Sequence, residues 1–323
     1  MRALATPDRG WICRAVQYVL LCALVACSSD PTGAADAGPR SDATATAPDA
    51  AMTSPDAAMA SPDAAIGAPD AGAGGPIQAV LDQRCNYFER AGLLVVSDPG
   101  GDGMRYASLA LYDRPLPWQG PPELTTTDCV FFRASPGCAC ATMGEVCNTQ
   151  GQCVPDAIFA PTVRVVASAP GGMRALMGDG QSLNGPIDLA DSALALRIEA
   201  LGWVVEVPPM ALPAALSRPA GVLTGDESMP GRVDLSWDPS NSGASVYTHI
   251  NINHHRSDGT FTECVAPASQ GMMHIEANML TPLAVSTGLE FQGLEHIRFA
   301  KAETPNGCFE IRFSRQEFVS LSR

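Results

Sequence analysis

The sequence predicts an all-β body: a β-sandwich preceded by an N-terminal β unit with a small disulfide-rich insertion, behind a disordered N-terminal tether. Three observations predict it. Apolar and polar residues alternate strictly towards the C-terminus: "RVDLSWD" (232–238) sets Val233, Leu235 and Trp237 on one face, "ALALRIE" sets Leu194, Leu196 and Ile198, and "CFEIRF" sets Phe309, Ile311 and Phe313. A period of two is that of a strand with one buried and one wet face. Eight cysteines lie between residues 76 and 323, four of them within residues 138–153, and residues 28–75 contain no aromatic side chain.

Arg2, Arg9 and Arg14 stand against one acid, Asp8, and are followed by eleven almost wholly apolar residues, Ala15 to Val25. Such a run falls well short of the roughly 20 residues that span a bilayer. A basic start and a short apolar core are the profile of an export signal. Leu24, Val25, Ala26 and Cys27, followed at once by polar Ser28 and Ser29, resemble the lipobox of bacterial lipoproteins. The resemblance implies a signal peptide over residues 1–26 and lipidation of Cys27, which would tie the chain to a membrane through its N-terminus. Two or more acyl chains make a lasting anchor where one does not. Ser28 stands where inner-membrane lipoproteins of enteric bacteria tend to carry Asp, so the resemblance favours the outer membrane, on its periplasmic or surface side.

Residues 27–75 read as the tether. "PDAAMTS", "PDAAMAS" and "PDAAIGA" repeat every seven residues, but each repeat carries a proline (Pro48, Pro55, Pro62 and Pro69 mark the series) that breaks a helix interior. Too little apolar surface is present to offset the entropy of ordering the segment. As a flexible coil it spans roughly 40 Å, and as an extended polyproline rod about 150 Å. Ala-Pro-Asp repeats behind a lipobox are similar to those of myxobacterial lipoproteins, and nineteen of the twenty basic residues are Arg, Lys301 being the exception.

Of the formal charge of −14, the first 26 residues contribute +2 and residues 27–75 contribute −6, which leaves −10 on residues 76–323. A body this acidic repels phosphate backbones, so nucleic acid is excluded as a partner class. Cys13 and Cys22 leave with the signal and Cys27 is assigned to lipid, so Cys85, Cys129, Cys138, Cys140, Cys147, Cys153, Cys264 and Cys308 remain as disulfide candidates in an exported chain. The stretch "CACATMGEVCNTQGQC" has Gly144 and Gly151 as turn residues and is too small to bury a core of its own. Clustered thiolates also bind zinc, but an oxidising compartment consumes thiols, and neither a C-x2-C pair nor a nearby His is present. No metal or cofactor is expected. The stretch is similar to EGF-like knots in its Gly-Cys punctuation, and the expected pairs are Cys138 with Cys147 and Cys140 with Cys153. The long-range pairs expected with them are Cys85 with Cys129 and Cys264 with Cys308.

"LLVVS" (93–97), "YASLALYD" (106–113), "CVFFR" (129–133) and "TVRVVAS" (162–168) read as short strands of an N-terminal unit over residues 76–185, with the cysteine-rich segment at 129–153. The sandwich follows over residues 186–323, and a single composite sandwich is the rival because no low-complexity linker separates the two. "VDLSWDPSNSGASVYTHINI" (233–252) resembles the second and third strands of fibronectin type III and immunoglobulin-like domains. The resemblance implies an immunoglobulin-like sandwich with Trp237 between its sheets and Tyr247, Ile250 and Ile252 on the next strand.

Hydrolase motifs are missing: no G-x-S-x-G, H-E-x-x-H or S-x-x-K occurs. In "HININHH" (249–255), His249 and His255 share a strand face but stand about 20 Å apart, so the expectation is a polar strand face rather than a metal site. "DPGGDG" (98–103) reads as a turn, since it lacks the alternating acids of a calcium loop. Trp118 in "RPLPWQGPP" is the candidate binding residue, an aromatic ring on a proline-stiffened loop that could stack on a sugar or a protein partner. The sequence therefore predicts a non-catalytic, membrane-anchored binding or structural module of the envelope with a protein or glycan partner. The alternative is a surface hydrolase whose catalytic acids carry no motif.

Overall fold

The alternation in "ALALRIE" and its neighbours builds one sheet of a layered body. The computed structural model describes residues 75–98, 105–133, 138–187, 193–225, 230–252, 260–283, 289–291, 293–319 and 321–322. Cys27, the signal and the tether lie outside the described residues, as do His254, His255 and most of "DPGGDG". With strands numbered in chain order, the first sheet runs β1 (Ile77–Gln78), β13 (Trp203–Ala211), β12 (Ala193–Ala200), β9 (Val163–Ala169), β10 (Gly172–Gly178).

The largest sheet has eleven strands. Its main path is β11 (Asn184–Ile187), β4 (Arg105–Leu111), β3 (Arg90–Ser97), β21 (Gly307–Glu317), β20 (Leu294–Thr304), β16 (Ser245–Ile252), β17 (Phe261–Pro267), β6 (Cys129–Phe132), β5 (Leu124–Thr125). Off this path, β2 (Val80–Leu81) pairs with β20 and β19 (Leu289–Phe291) with β16. A four-stranded sheet follows the order β18 (Met272–Ile275), β15 (Pro230–Ser236), β14 (Ala220–Gly225), β22 (Leu321–Ser322). The body is all-β apart from short helical turns such as α1 (Ala277–Leu280).

Both smaller sheets pack on the same face of the large one. The first core joins Val163, Val165, Leu194, Leu196, Ile198 and Val205 of the five-stranded sheet to Leu94, Val96, Leu109, Phe309, Ile311 and Phe313 of the large one. The second joins Leu223, Val233, Leu235, Met273 and Ile275 to Phe131, Val246, Ile250, Cys264 and Leu294, with Met279 and Leu280 of α1 closing it. Each such side chain stabilises the fold by about 1.5–3 kcal/mol when fully buried. The inward residues of β12, β15 and β21 are those the alternation selects. Strands from both sides of residue 185 share the large sheet, because β3 lies parallel to β21, with Leu94 opposite Ile311.

Trp237 follows directly on β15, is 4 % exposed in the second core, and donates its Nε1–H to the Ala268 carbonyl at 2.8 Å. The chain then turns at residues 238–244 and enters β16 in the opposite sheet, where Ile250 faces the same core and Tyr247 the other side. Cys138–Cys147 and Cys140–Cys153 are paired as expected and staple the hairpin of β7 (Glu145–Cys147) and β8 (Cys153–Pro155). Gly144 and Gly151 have φ of +84° and +73°, which a side chain would strain, so these positions turn the chain.

The two long-range pairs are corrected. Cys129 joins Cys264 and Cys85 joins Cys308, so the expected partners are exchanged. Cys129 and Cys264 stand opposite each other on antiparallel β6 and β17. Cys85 lies on a segment that crosses the sheet above Cys308. These proximities come from strand pairing across more than a hundred residues, which a local period does not encode.

Candidate functional site

The outer face of the large sheet, opposite both cores, is where the polar positions of the alternating strands meet. In "CFEIRF" these are Glu310 and Arg312, which the strand period assigns to water. They are 0 % and 6 % exposed. Their cover comes from the other end of the body. After β2 the chain leaves the edge of β20 at Asp82, whose φ of +59° an Asp side chain tolerates. Residues 82–89 then cross the outer face as a strap and enter β3 beside β21.

Arg84 and Arg90 flank the strap's disulfide at Cys85 and close a network over the sheet. Glu310 accepts from Cys85 N at 3.0 Å, Arg90 Nη1 at 3.2 Å and Arg312 Nε at 2.6 Å. Glu263 accepts from Arg84 Nη2 at 2.6 Å and from the Tyr247 hydroxyl at 2.8 Å, while Arg312 Nη2 stands 3.7 Å away. The Arg84 guanidinium lies 4.9 Å from the centre of the Phe299 ring and that of Arg312 lies 4.8 Å from Tyr247, so both cations sit on aromatic faces. Tyr87 of the strap wedges against Phe132 and Phe261 at centroid distances of 4.5 and 4.9 Å, and His249 stacks on Phe261 at 4.8 Å.

Burial alone would raise the pKa of both acids. For Glu263 the charges of Arg84, Arg312 and Arg90 outweigh it and hold the carboxyl below its usual range. Arg312, Arg90 and Arg84 do the same for Glu310. Burial pushes His249 down to about 4 against the pull of Glu263, so its ring is neutral at neutral pH. Burial likewise raises the Tyr87 hydroxyl to about 12. Two ionised carboxylates contact three guanidiniums, two of them from residues 84 and 90 on either side of Cys85, and these contacts hold the strap down. Sequence reasoning missed this network. The signal available to it was a pair of opposite charges inside "FEIRF", between three large apolar residues.

A second polar contact joins a serine and a histidine. Ser242 Oγ lies 3.2 Å from His296 Nε2, and His296 Nδ1 lies 2.6 Å from the Ala214 carbonyl. Burial lowers the pKa of His296, so the neutral ring donates from Nδ1 to Ala214 and accepts from Ser242 at Nε2. Arg298 Nη2 donates to the Ser242 carbonyl at 2.5 Å, so three contacts tie the turn at 238–244 to β20 and to residue 214.

Trp118 is half-buried in the turn at residues 117–118. The sulfurs of Cys138, Cys140 and Cys147 lie within 4.8 Å of one another, close enough to surround an ion, but each is engaged in a disulfide. Disulfide bonding removes the thiolates that zinc requires.

No family description matches the chain, and no curated protein is similar to it. Among solved structures it shows a distant likeness to a tetra-tandem repeat from the extending region of a large adhesion protein, at 11 % identity and a TM-score of 0.16, over 71 % of this chain and 50 % of that one. A second likeness is to the FN1–FN3 domains of chicken CNTN1, at 7 % identity and a TM-score of 0.18, over 66 % and 76 % of the two chains. The chain thus spans about half the length of the adhesion-protein repeat structure it matches.

Proposed function

We propose that this is an exported, lipid-anchored envelope protein. A signal peptide over residues 1–26, lipid on Cys27 and a disordered tether to about residue 75 would hold the β body away from the membrane, most simply the outer membrane. The body serves as a non-catalytic module for binding or envelope structure, with a protein or glycan partner. The observation that carries this is the placement of the disulfides. Four bonds use all eight cysteines of the body, which fits an oxidising compartment outside the cytoplasm. One of them, Cys85–Cys308, joins the strap, which follows β2, to β21, an inner strand of the large sheet. Load arriving along the tether would pass covalently into the core.

Membrane fractionation tests the anchor. Wild-type chain should sediment with membranes and take up labelled fatty acid, and Cys27→Ser should lose the label; unchanged labelling of the variant refutes the assignment. The absence of catalysis is tested at Ser242, the serine held against a neutral histidine. A fluorophosphonate probe should leave it unmodified, and a stoichiometric adduct abolished by His296→Asn would make the protein a hydrolase. Trp118→Ala should leave the fold intact, and loss of a captured envelope partner with that variant would place the contact on the 114–123 loop.

A further inference from the structure

The five-stranded sheet ends on β10, which among the described residues pairs with β9 alone and leaves its other edge open. Long open edges are templates for another strand, and proteins commonly blunt them with Lys, Pro or short length. Strand β10 carries neither Lys nor Pro, and a single charged side chain is the only such device on it. It is seven residues long, and its one charge is Arg174. Met173 and Met177 are 70 % and 71 % exposed and share a face with exposed Ala175, beside Ser168, Val166 and Arg164 of β9.

The sequence of the strand, Gly-Met-Arg-Ala-Leu-Met-Gly, reads nearly the same in both directions about Ala175. We propose that this edge binds a second copy of the same chain, strand to strand and antiparallel, with the twofold axis at Ala175. That register sets Gly172 opposite Gly178, Met173 opposite Met177, Arg174 opposite Leu176, and Ala175 opposite its counterpart. Paired residues differ by an even number, so outward-pointing N–H and C=O groups meet outward-pointing groups whichever set faces the edge. The thioethers of the Met pairs fold over the small alanines, a use to which flexible Met side chains are suited. Two five-stranded sheets become one of ten strands. An unrelated peptide would need no such symmetry in β10, and a twofold contact is self-complementary by construction.

Size sets the strength. A seven-residue strand is about 23 Å long and a sheet about 10 Å deep, so each copy covers roughly 230 Å² and the pair roughly 460 Å². Stable free dimers bury about 1,200 Å² or more. The contact is therefore weak between freely diffusing chains and gains when copies are held side by side, which raises their effective concentration.

Cross-linking of the full chain tests it. In Ala175→Cys the introduced thiols face each other across the axis, whereas Val222→Cys places a thiol on exposed β14, away from the edge. Under mild oxidation at tens of micromolar protein, Ala175→Cys should give at least five-fold more covalent dimer than Val222→Cys, linked through the introduced thiols. In sedimentation runs the weak association of wild type at high concentration should vanish in Ala175→Lys, which sets two positive charges opposite each other. Equal cross-linking at the two positions, or none at Ala175→Cys, overturns the proposal, as does association that survives Ala175→Lys.

Discussion

Removing Arg312 should unfold the centre of the outer face. Its guanidinium lies 2.6 Å from Glu310 and 3.7 Å from Glu263, two carboxylates whose side chains are 0 % and 5 % exposed. Arg312→Met keeps the length and the packing against Tyr247 but leaves both acids short of a cation. At 4 Å and an effective dielectric of 20 an ion pair is worth about 4 kcal/mol, and breaking a buried pair from one side costs about 3–5 kcal/mol. Arg84 and Arg90 remain, so the lower half of that range is expected. Glu310→Gln alone should also destabilise, because Arg312 then loses its nearest negative charge and keeps that of Glu263 at 3.7 Å. The double variant Glu310→Gln/Arg312→Met removes one charge of each sign and should be more stable than the sum of the single losses by about 1–3 kcal/mol, as for residues in one network. Urea midpoints and slopes of the four proteins, disulfides intact, give the comparison. A loss under about 1 kcal/mol for Arg312→Met, or strict additivity, would refute the reasoning that the network holds the strap.

Acid should act on the same groups. Glu263 and Glu310 have depressed folded pKa values, so their contribution is whole above the ordinary carboxylate pKa of about 4.3 and is lost as pH falls below it. His249, neutral down to about 4, adds a loss between pH 6.5 and 4 because the unfolded chain takes the proton first. Urea midpoints should therefore fall from pH 7 to pH 4 and further at pH 3, and equal midpoints at pH 7 and 4 contradict this. Trp237→Ala should cost about 3–5 kcal/mol through lost burial and a cavity, whereas half-buried Trp118→Ala should be milder; thermal unfolding of both ranks them, and a near-neutral Trp237→Ala would remove the indole from the second core. Replacing Cys85 and Cys308 together by Ala opens a loop of 223 residues and should cost roughly 5 kcal/mol in the chain-entropy model, against roughly 3 for the short Cys138–Cys147 loop. Equal losses for the two would mean that the strap is held by its side chains alone.

Much of the body was legible because burial writes itself into a period of two. Leu194, Leu196 and Ile198, Val233 and Leu235, and Phe309, Ile311 and Phe313 all face cores, and Trp237 sits between sheets. The same period misled at Glu310 and Arg312. Alternation records that the two faces of a strand differ, not that the polar one is wet, and the strap that dries this face is encoded more than two hundred residues before β21. Distance in sequence also explains the disulfides. Cys138–Cys147 and Cys140–Cys153 close loops that local turns bring together, whereas Cys85–Cys308 and Cys129–Cys264 follow from strand neighbours that no short segment specifies. The apolar edge at Met173 and Met177 was hidden for a related reason, since the residues of a strand do not say which strand of a sheet lies last.

Peptide mapping of the unreduced protein taken from membranes tests the central claim most directly, because one digest reads both ends of the argument. The account predicts that the N-terminal peptide begins at Cys27 and carries acyl chains, that linked peptides join Cys85 to Cys308 and Cys129 to Cys264, and that the body has no free thiol. An unmodified Cys27 in a chain recovered from the soluble fraction, with Cys85 and Cys308 as free thiols, would contradict an anchored protein whose body is held by the Cys85–Cys308 bond.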